Sequence, residues 1–208
     1  LSELDDDPEL RFTTGGFPLP GMEAEVHDPE TGKLLPYGSV GEIWYRGPNM
    51  FDGYFRDQEL NEKVFDERGF FRTGDIGEID TDGRVTFISR LKDMLKVGGE
   101  NVAAAEVEGY LITHPDIALA QVVAAPDERY VEVPAAYIQL NPEAKVTEQE
   151  IIDFCRGEIA TYRIPRYVRF VTEWPMSGTK IKKVTLREMI SEELKSKGIT
   201  SAEKIVSS

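Results

Sequence analysis

Three groups of residues in this 208-residue chain have types and spacings suited to chemistry on a charged small molecule. The first is Thr73-Gly74-Asp75, a carboxylate on a turn after the aromatic pair Phe70-Phe71. A carboxylate so placed can accept hydrogen bonds from both hydroxyls of a ribose. The second runs from Arg90-Leu91-Lys92-Asp93 into a short apolar strand, Met94 to Val97, and then Gly98-Gly99. The glycine pair supplies positive φ and lets a ligand approach the backbone closely. The third is the basic cluster Lys180, Lys182 and Lys183. Taken singly, each has a plainer reading: a turn aspartate, a hairpin turn and a solvated charged face.

Other candidates carry less. Thr13-Thr14-Gly15-Gly16 looks like a phosphate loop, but no lysine follows, and Pro18-Leu19-Pro20-Gly21 is turn chemistry. Cys155, the sole cysteine, shares helical spacing with Ile151, Ile152 and Ile159, so it reads as a buried structural residue. His27 falls on the polar side of an alternating strand and is expected in solvent. His114 reads as a helix-end residue.

The elements that must position these groups follow from periodicity. Met22, Ala24 and Val26 alternate with polar residues, which predicts a half-buried strand. Val40 to Arg46 is a second strand, stopped by Gly47-Pro48. Asp57 can cap a short helix bearing Leu60 and Val64. Ile76 to Ile79 and Arg84 to Ser89 flank Asp82-Gly83 as a hairpin. Beyond Arg90 the pattern changes. A helix carries Ala103, Val107, Tyr110 and Leu111 on one stripe. Strands are expected at 119–125, 135–140 and 167–172. Thr147 to Glu150 and Thr185 to Glu188 read as capping boxes opening two helices. Residues 1–12 and the tail from Ser196 are polar and expected to be loose. The expected fold is α+β: a small β-barrel-like subdomain, then a compact α+β domain of a three-stranded sheet with helices plus a hairpin.

Phe71-Arg72-Thr73-Gly74-Asp75, the block from Arg90 to Glu108, and Trp174-Pro175-Met176-Ser177-Gly178-Thr179-Lys180-Ile181-Lys182-Lys183 occur in that order. Together they resemble the C-terminal motifs of the adenylate-forming (AMP-binding) superfamily. That superfamily includes acyl- and aryl-CoA synthetases, adenylation domains of peptide synthetases, and luciferases. The Arg90–Glu108 block is most similar to the acyl-CoA synthetases. The runs Tyr162-Arg163-Ile164-Pro165 and Phe170-Val171-Thr172-Glu173-Trp174-Pro175 resemble the approach to the last motif, and the likeness extends from about Thr14 to Glu188.

The resemblance implies roles. Asp75 would hold the ribose, and Arg90 would be a second ribose or phosphate contact through its donor fork. Lys96 and Asn101 would lie on the nucleotide side. Lys92 would be the hinge, and Gly98 and Gly99 would line the path of the CoA thiol arm. Lys180 would be catalytic, its ammonium stabilising the charge that gathers as a carboxylate attacks the α-phosphate of ATP. One departure stands out: the family order is Thr/Ser-Gly-Lys, whereas here it is Gly178-Thr179-Lys180, one residue short after the proline. Lys182 stays open as an alternative. Residues 1–90 would be the last β subdomain of an N-terminal adenylation unit, and 91–208 its mobile lid.

Composition sets the outer bounds. A net charge of -14 argues against nucleic acid and anionic membranes, which require basic surface. No apolar run reaches spanning length and no signal peptide is visible, so a cytoplasmic location is expected. The family's main phosphate loop, acyl pocket and adenine motif are absent, and the chain opens at Leu1 without methionine. It is therefore expected to be the C-terminal part of a larger ligase, inactive alone, whose ATP, CoA, Mg2+ and carboxylic acid are shared with the N-terminal part. No metal ligands are expected in these residues. Loading of a carrier protein instead of CoA, and a stand-alone non-catalytic binding module, remain as other readings.

Overall fold

The computed structural model describes residue 2 and residues 5–205 and divides into two compact units, Leu1–Lys92 and Asp93–Ser208. The first unit opens with α1 (Pro8–Thr13), where a loose end was expected. Asp7 caps α1 by accepting the Glu9 N–H at 2.9 Å, and Pro8 sits where a helix start tolerates it. Then come β1 (Glu23–His27), β2 (Val40–Arg46), α2 (Gln58–Val64), β3 (Phe71–Ile79) and β4 (Val85–Arg90). Asp57 caps α2 through the Leu60 N–H, as its position in the sequence implies.

The four strands form an antiparallel meander in the order β1-β2-β3-β4. The sheet is open, so the α+β class stands without a closed barrel. Val26, Ile43 and Ile79 are its buried core. Two glycines let the strands approach: a Cβ on Gly41 would stand 2.4 Å from the His27 carbonyl, and one on Gly77 2.3 Å from that of Thr86. His27 corrects an expectation, being only 2% exposed. Its ring stacks on Trp44 with centroids 3.7 Å apart, and its nitrogens meet Glu25 Oε2 at 2.8 Å and the Gly32 carbonyl at 3.0 Å. The alternation breaks there because the turn after β1 folds back, pairing His27 with Leu34.

A short 3-10 turn, Leu91–Asp93, leads into the second unit. Its elements are β5 (Met94–Val97), β6 (Glu100–Ala103), α3 (Ala104–Leu111), β7 (Ile117–Asp127), β8 (Val131–Leu140), α4 (Glu148–Cys155), β9 (Tyr167–Phe170), β10 (Met176–Ser177), β11 (Lys180–Ile181) and α5 (Lys183–Ser196). β7 pairs antiparallel with β8 along nearly its whole length, and β9 runs parallel to residues 135–138 of β8. The β5–β6 hairpin joins through Val97 opposite Val131, which makes five strands of the expected three plus a hairpin.

Successive residues of this sheet face different cores. Val122, Ala124, Ala136 and Ile138 pack with α3 and α4, whereas Val123, Ala125, Ala135 and Tyr137 pack with Leu186, Ile190 and Leu194 of α5. Burial on both faces explains why these strands read as near-continuous apolar runs. Cys155 is buried in the first of these cores, and burial pushes its thiol up to about 12. Thr147 forms its capping box with Glu150 in both directions. The second expected box does not form: α5 starts at Lys183 without a side-chain cap, so Thr185 lies inside the first turn. The tail is also more ordered than its composition suggests. Asp127 Oδ2 accepts the Ala202 N–H at 2.6 Å, and Ala202 is buried.

Arg169 of β9 binds Glu193 of α5 through two nitrogens, at 3.0 Å from Nε to Oε2 and 2.6 Å from Nη2 to Oε1. Both side chains are 25% exposed. The guanidinium holds the Glu193 carboxyl down at about 2 against a usual 4.5. Because the folded value lies below the unfolded one, this contribution is present above about pH 4.5 and is lost as pH falls toward 2. A depression of that size corresponds to on the order of 3 kcal/mol. Urea unfolding followed from pH 7 to pH 2 should therefore show a loss of stability in this window. Glu193→Gln should flatten it, and an unaltered slope in that variant would remove the clamp from the account.

Candidate functional site

In the first unit the chemistry gathers at a break in the β2–β3 ladder. Glu42 pairs with Ile76 and Trp44 with Arg72, which leaves Ile43 alone opposite Thr73, Gly74 and Asp75. Thr73-Gly74-Asp75 is thus a bulge inside β3 rather than a turn between elements. Gly74 makes it possible with φ of +68°, a value that L side chains rarely adopt. Three side-chain bonds fix its shape. Thr73 Oγ1 donates to the Ile43 carbonyl at 2.6 Å and accepts the Asp75 N–H at 2.9 Å, and Glu42 Oε1 accepts the Gly74 N–H at 2.9 Å.

Asp75 then stands directly across from Arg90 of β4. Its Oδ1 lies 2.8 Å from Arg90 Nε, with side-chain exposures of 30% and 54%. That oxygen is itself buried and accepts no hydrogen bond, so the contact is one of charge without an aligned N–H. Burial raises the Asp75 carboxyl above its usual value; Arg90 pulls it down and Glu42 pushes it up. The arrangement leaves a carboxylate with acceptor capacity in hand beside a half-exposed guanidinium. It can receive hydroxyl donors and an anionic group together.

In the second unit Gly98 and Gly99 form the two-residue tip of the β5–β6 hairpin, with φ of +61° and +96°. Positive φ at both central residues is what the twist of such a hairpin requires. A Cβ on Gly98 would also meet the Tyr130 ring at 3.1 Å. Leu95, Val97 and Val102 point into the core, and Lys96 and Asn101, direct cross-strand partners, lie on the exposed face. The structure therefore brings Lys96, Asn101 and the glycine tip together on one hairpin. Lys92 is exposed on the 3-10 turn at the boundary between the units.

Lys180 begins β11, with Ser177 opposite it and only Gly178-Thr179 between. Gly178 has φ of +59°. The order Gly-Thr thus puts the glycine at the first central position of a tight hairpin, which accounts physically for the shortened motif. The base of this hairpin is fixed. Trp174 Nε1 donates to Gln139 Oε1 at 2.7 Å, the Lys182 N–H donates to the Pro175 carbonyl at 2.8 Å, and Ile181 packs on the α5-side core. Lys183 Nζ lies 2.7 Å from Glu108 Oε1 of α3, and that oxygen also accepts the Val122 N–H. Of the three clustered lysines, Lys183 is therefore committed to structure, while Lys180 and Lys182 are exposed.

Sequence reading gave no part to Glu42 and did not foresee the contacts that Thr73, Glu108 and Lys183 make. Glu42 had one available signal, a carboxylate two residues before a buried Trp in a strand. The Lys183–Glu108 contact spans 75 positions and left no local trace. Among the described residues no group of three or more His, Cys, Asp or Glu could hold a metal ion. Nor is any helix among them long and apolar enough to cross a membrane.

Residues 2–55 match the family model of the AMP-binding enzyme, and residues 106–180 that of the AMP-binding enzyme C-terminal domain. The chain is 41% identical to 4-coumarate--CoA ligase-like 1 of Arabidopsis thaliana over 84% of its own length and 32% of that protein. It is 39% identical to a mitochondrial medium-chain acyl-CoA ligase of Danio rerio over 91% of its length and 31% of that protein. It spans about a third of the length of these relatives. Among solved structures, ATP-bound MatB from Rhodopseudomonas palustris superposes with a TM-score of 0.81 at 35% identity, covering 87% of this chain and 36% of that one. The amide bond synthetase McbA from Marinactinospora thermotolerans superposes with a TM-score of 0.77 at 36% identity, covering 88% and 37%. With both family models matched and ligases on every side of it, the chain belongs to the adenylate-forming superfamily.

Proposed function

We propose that this chain works as the C-terminal part of an AMP-forming acyl- or aryl-CoA synthetase. The carrying observation is the Asp75 carboxylate, with a buried unbonded oxygen beside Arg90 on a preformed bulge. In this reading Asp75 accepts the ribose hydroxyls and Arg90 adds a ribose or phosphate contact. Lys96 and Asn101 contribute to the nucleotide side. A carboxylate oxygen of the acid attacks the α-phosphorus of ATP, an acyl–phosphate bond forms, and the bond to pyrophosphate breaks. Lys180 supplies the ammonium that offsets charge on the attacking and bridging oxygens. The thiol of CoA then attacks the acyl carbon, loses its proton and expels AMP. Gly98 and Gly99 offer that thiol arm bare backbone on a hairpin tip. Residues 1–92 would serve as the last β subdomain of the adenylation unit and residues 93–208 as a lid turning about Lys92.

A second reading gives the activated acid to an acceptor other than CoA, such as a carrier protein. The likeness to an amide bond synthetase, an enzyme named for a different bond, favours keeping it. AMP release by the complete ligase, assayed over an acid panel with and without CoA, decides between them. CoA-dependent release is expected, and release indifferent to CoA would favour the second reading.

The 208-residue chain by itself should show no acid-dependent ATP–pyrophosphate exchange, and measurable exchange would overturn its assignment as a part. In the complete ligase, Lys180→Ala should slow adenylation by roughly 10²–10³. A change under about threefold would shift the role to Lys182 or elsewhere. Lys183→Met loosens the hairpin base but keeps the Lys180 ammonium, so it should cost about tenfold in the same step.

A further inference from the structure

Glu42 is 7% exposed, yet it makes no ion pair with any described residue. A buried carboxylate without a cation is costly unless N–H donors compensate it. Two do. Oε1 accepts the Gly74 N–H at 2.9 Å, and Oε2 accepts Trp44 Nε1–H at 2.8 Å. The indole is held in turn, with His27 stacked on one face and the Arg72 guanidinium 4.7 Å from the ring centroid. Glu25 and the Gly32 carbonyl fix the imidazole. Glu42 is thus braced from behind by a chain of rings and presses forward on a single backbone amide, that of Gly74.

Two donors approaching two oxygens require a carboxylate. An amide side chain has one acceptor, so one of these N–H groups would face an NH2. The same negative charge repels Asp75, whose carboxyl is raised by burial and lowered by Arg90, and burial and Asp75 together raise the Tyr45 hydroxyl of β2. Glu42 therefore acts on the bulge in shape and in charge at once.

We propose that Glu42 is the positioning residue for nucleotide recognition: its carboxylate holds the Thr73–Asp75 bulge in the form that presents Asp75 to the ribose. This rests on the reading of Asp75 given above. Glu42 itself touches no substrate.

Three variants of the complete ligase separate the parts. Asp75→Asn tests the underlying reading, which requires the KM for ATP to rise at least about tenfold, the value of a charged hydrogen bond. If Asp75→Asn leaves that KM unchanged, the ribose assignment falls. Glu42→Gln should raise the KM for ATP about tenfold with kcat affected less. It should also move the acid limb of kcat/KM for ATP to lower pH, because Asp75 loses its anionic neighbour. Glu42→Asp keeps the charge but shortens the reach, so its KM should rise while the acid limb stays in place. Loosened packing alone would raise KM in both without separating the limbs. In the 208-residue chain, NMR titration of the Asp75 carboxyl and hydrogen exchange at the Gly74 amide give a readout independent of activity. Glu42→Gln should lower the first and speed the second. Should that variant fail to fold, Glu42→Asp must still speed exchange at Gly74. An Asp75→Asn effect on KM, together with unchanged Gly74 exchange and KM in the Glu42 variants, would overturn the positioning role alone.

Discussion

Three residues of β3 stand opposite one residue of β2, and the polar face of the first unit is arranged around that mismatch. A regular ladder would consume the Gly74 and Asp75 amides in strand pairing and alternate the side chains evenly. The surplus residues instead free a carboxylate from its row and leave backbone groups needing partners. Thr73 and Glu42 supply them from within the unit, so the distortion is satisfied locally and is present before any ligand arrives. This is preorganisation in its simplest form: the ordering cost is met during folding rather than at binding.

The second unit solves a different problem, that of presenting chemistry on short projections without letting them wander. The β5–β6 and β10–β11 hairpins have two-residue tips with a glycine at positive φ, and both are rooted in the sheet's cores. Leu95, Val97 and Val102 root the first; Trp174 and Ile181 root the second. The Lys183–Glu108 contact links the base of the second hairpin to the helix that follows the first. The two projections therefore belong to one body, because α3 and α5 both grip β7. A strong gradient results, from rigid base to solvent-exposed tip, and the residues proposed for chemistry sit at the exposed end.

Much of this was legible in the sequence because it is local. Strand-forming residues stopped by Gly47-Pro48 marked the strand at 40–46 to the residue, and Asp57 and Thr147 announced their helices through capping. Gly98-Gly99 and Asp82-Gly83 marked two hairpin tips, whereas the tip at Gly178-Thr179 was not expected. What stayed hidden was long-range or competitive. His27 sits at a polar position of its strand, yet a returning turn and the Trp44 ring enclose it. Thr185 has a capping-box spacing, but α5 begins earlier, where the turn after β11 already aligns the backbone. The polar tail looked unanchored because its partner, Asp127, lies 75 positions away. Asp75, Arg90 and Lys180 were found by resemblance rather than by spacing alone. The bulge that sets Asp75 out of its row depends on a register between strands that no single segment encodes.

The single thiol of this chain has a bearing on how its surface can be labelled. Cys155 is enclosed on all sides among the residues of α3, α4 and the sheet, and protonated at any ordinary pH. Thiolate-selective dyes therefore find nothing to attack in the native fold. A cysteine placed at Thr179, on the exposed hairpin tip beside Lys180, would become the sole reactive handle without removal of the native one. A fluorescent or spin label at that point would then report the surroundings of the hairpin tip in the 208-residue chain, with no background from the interior.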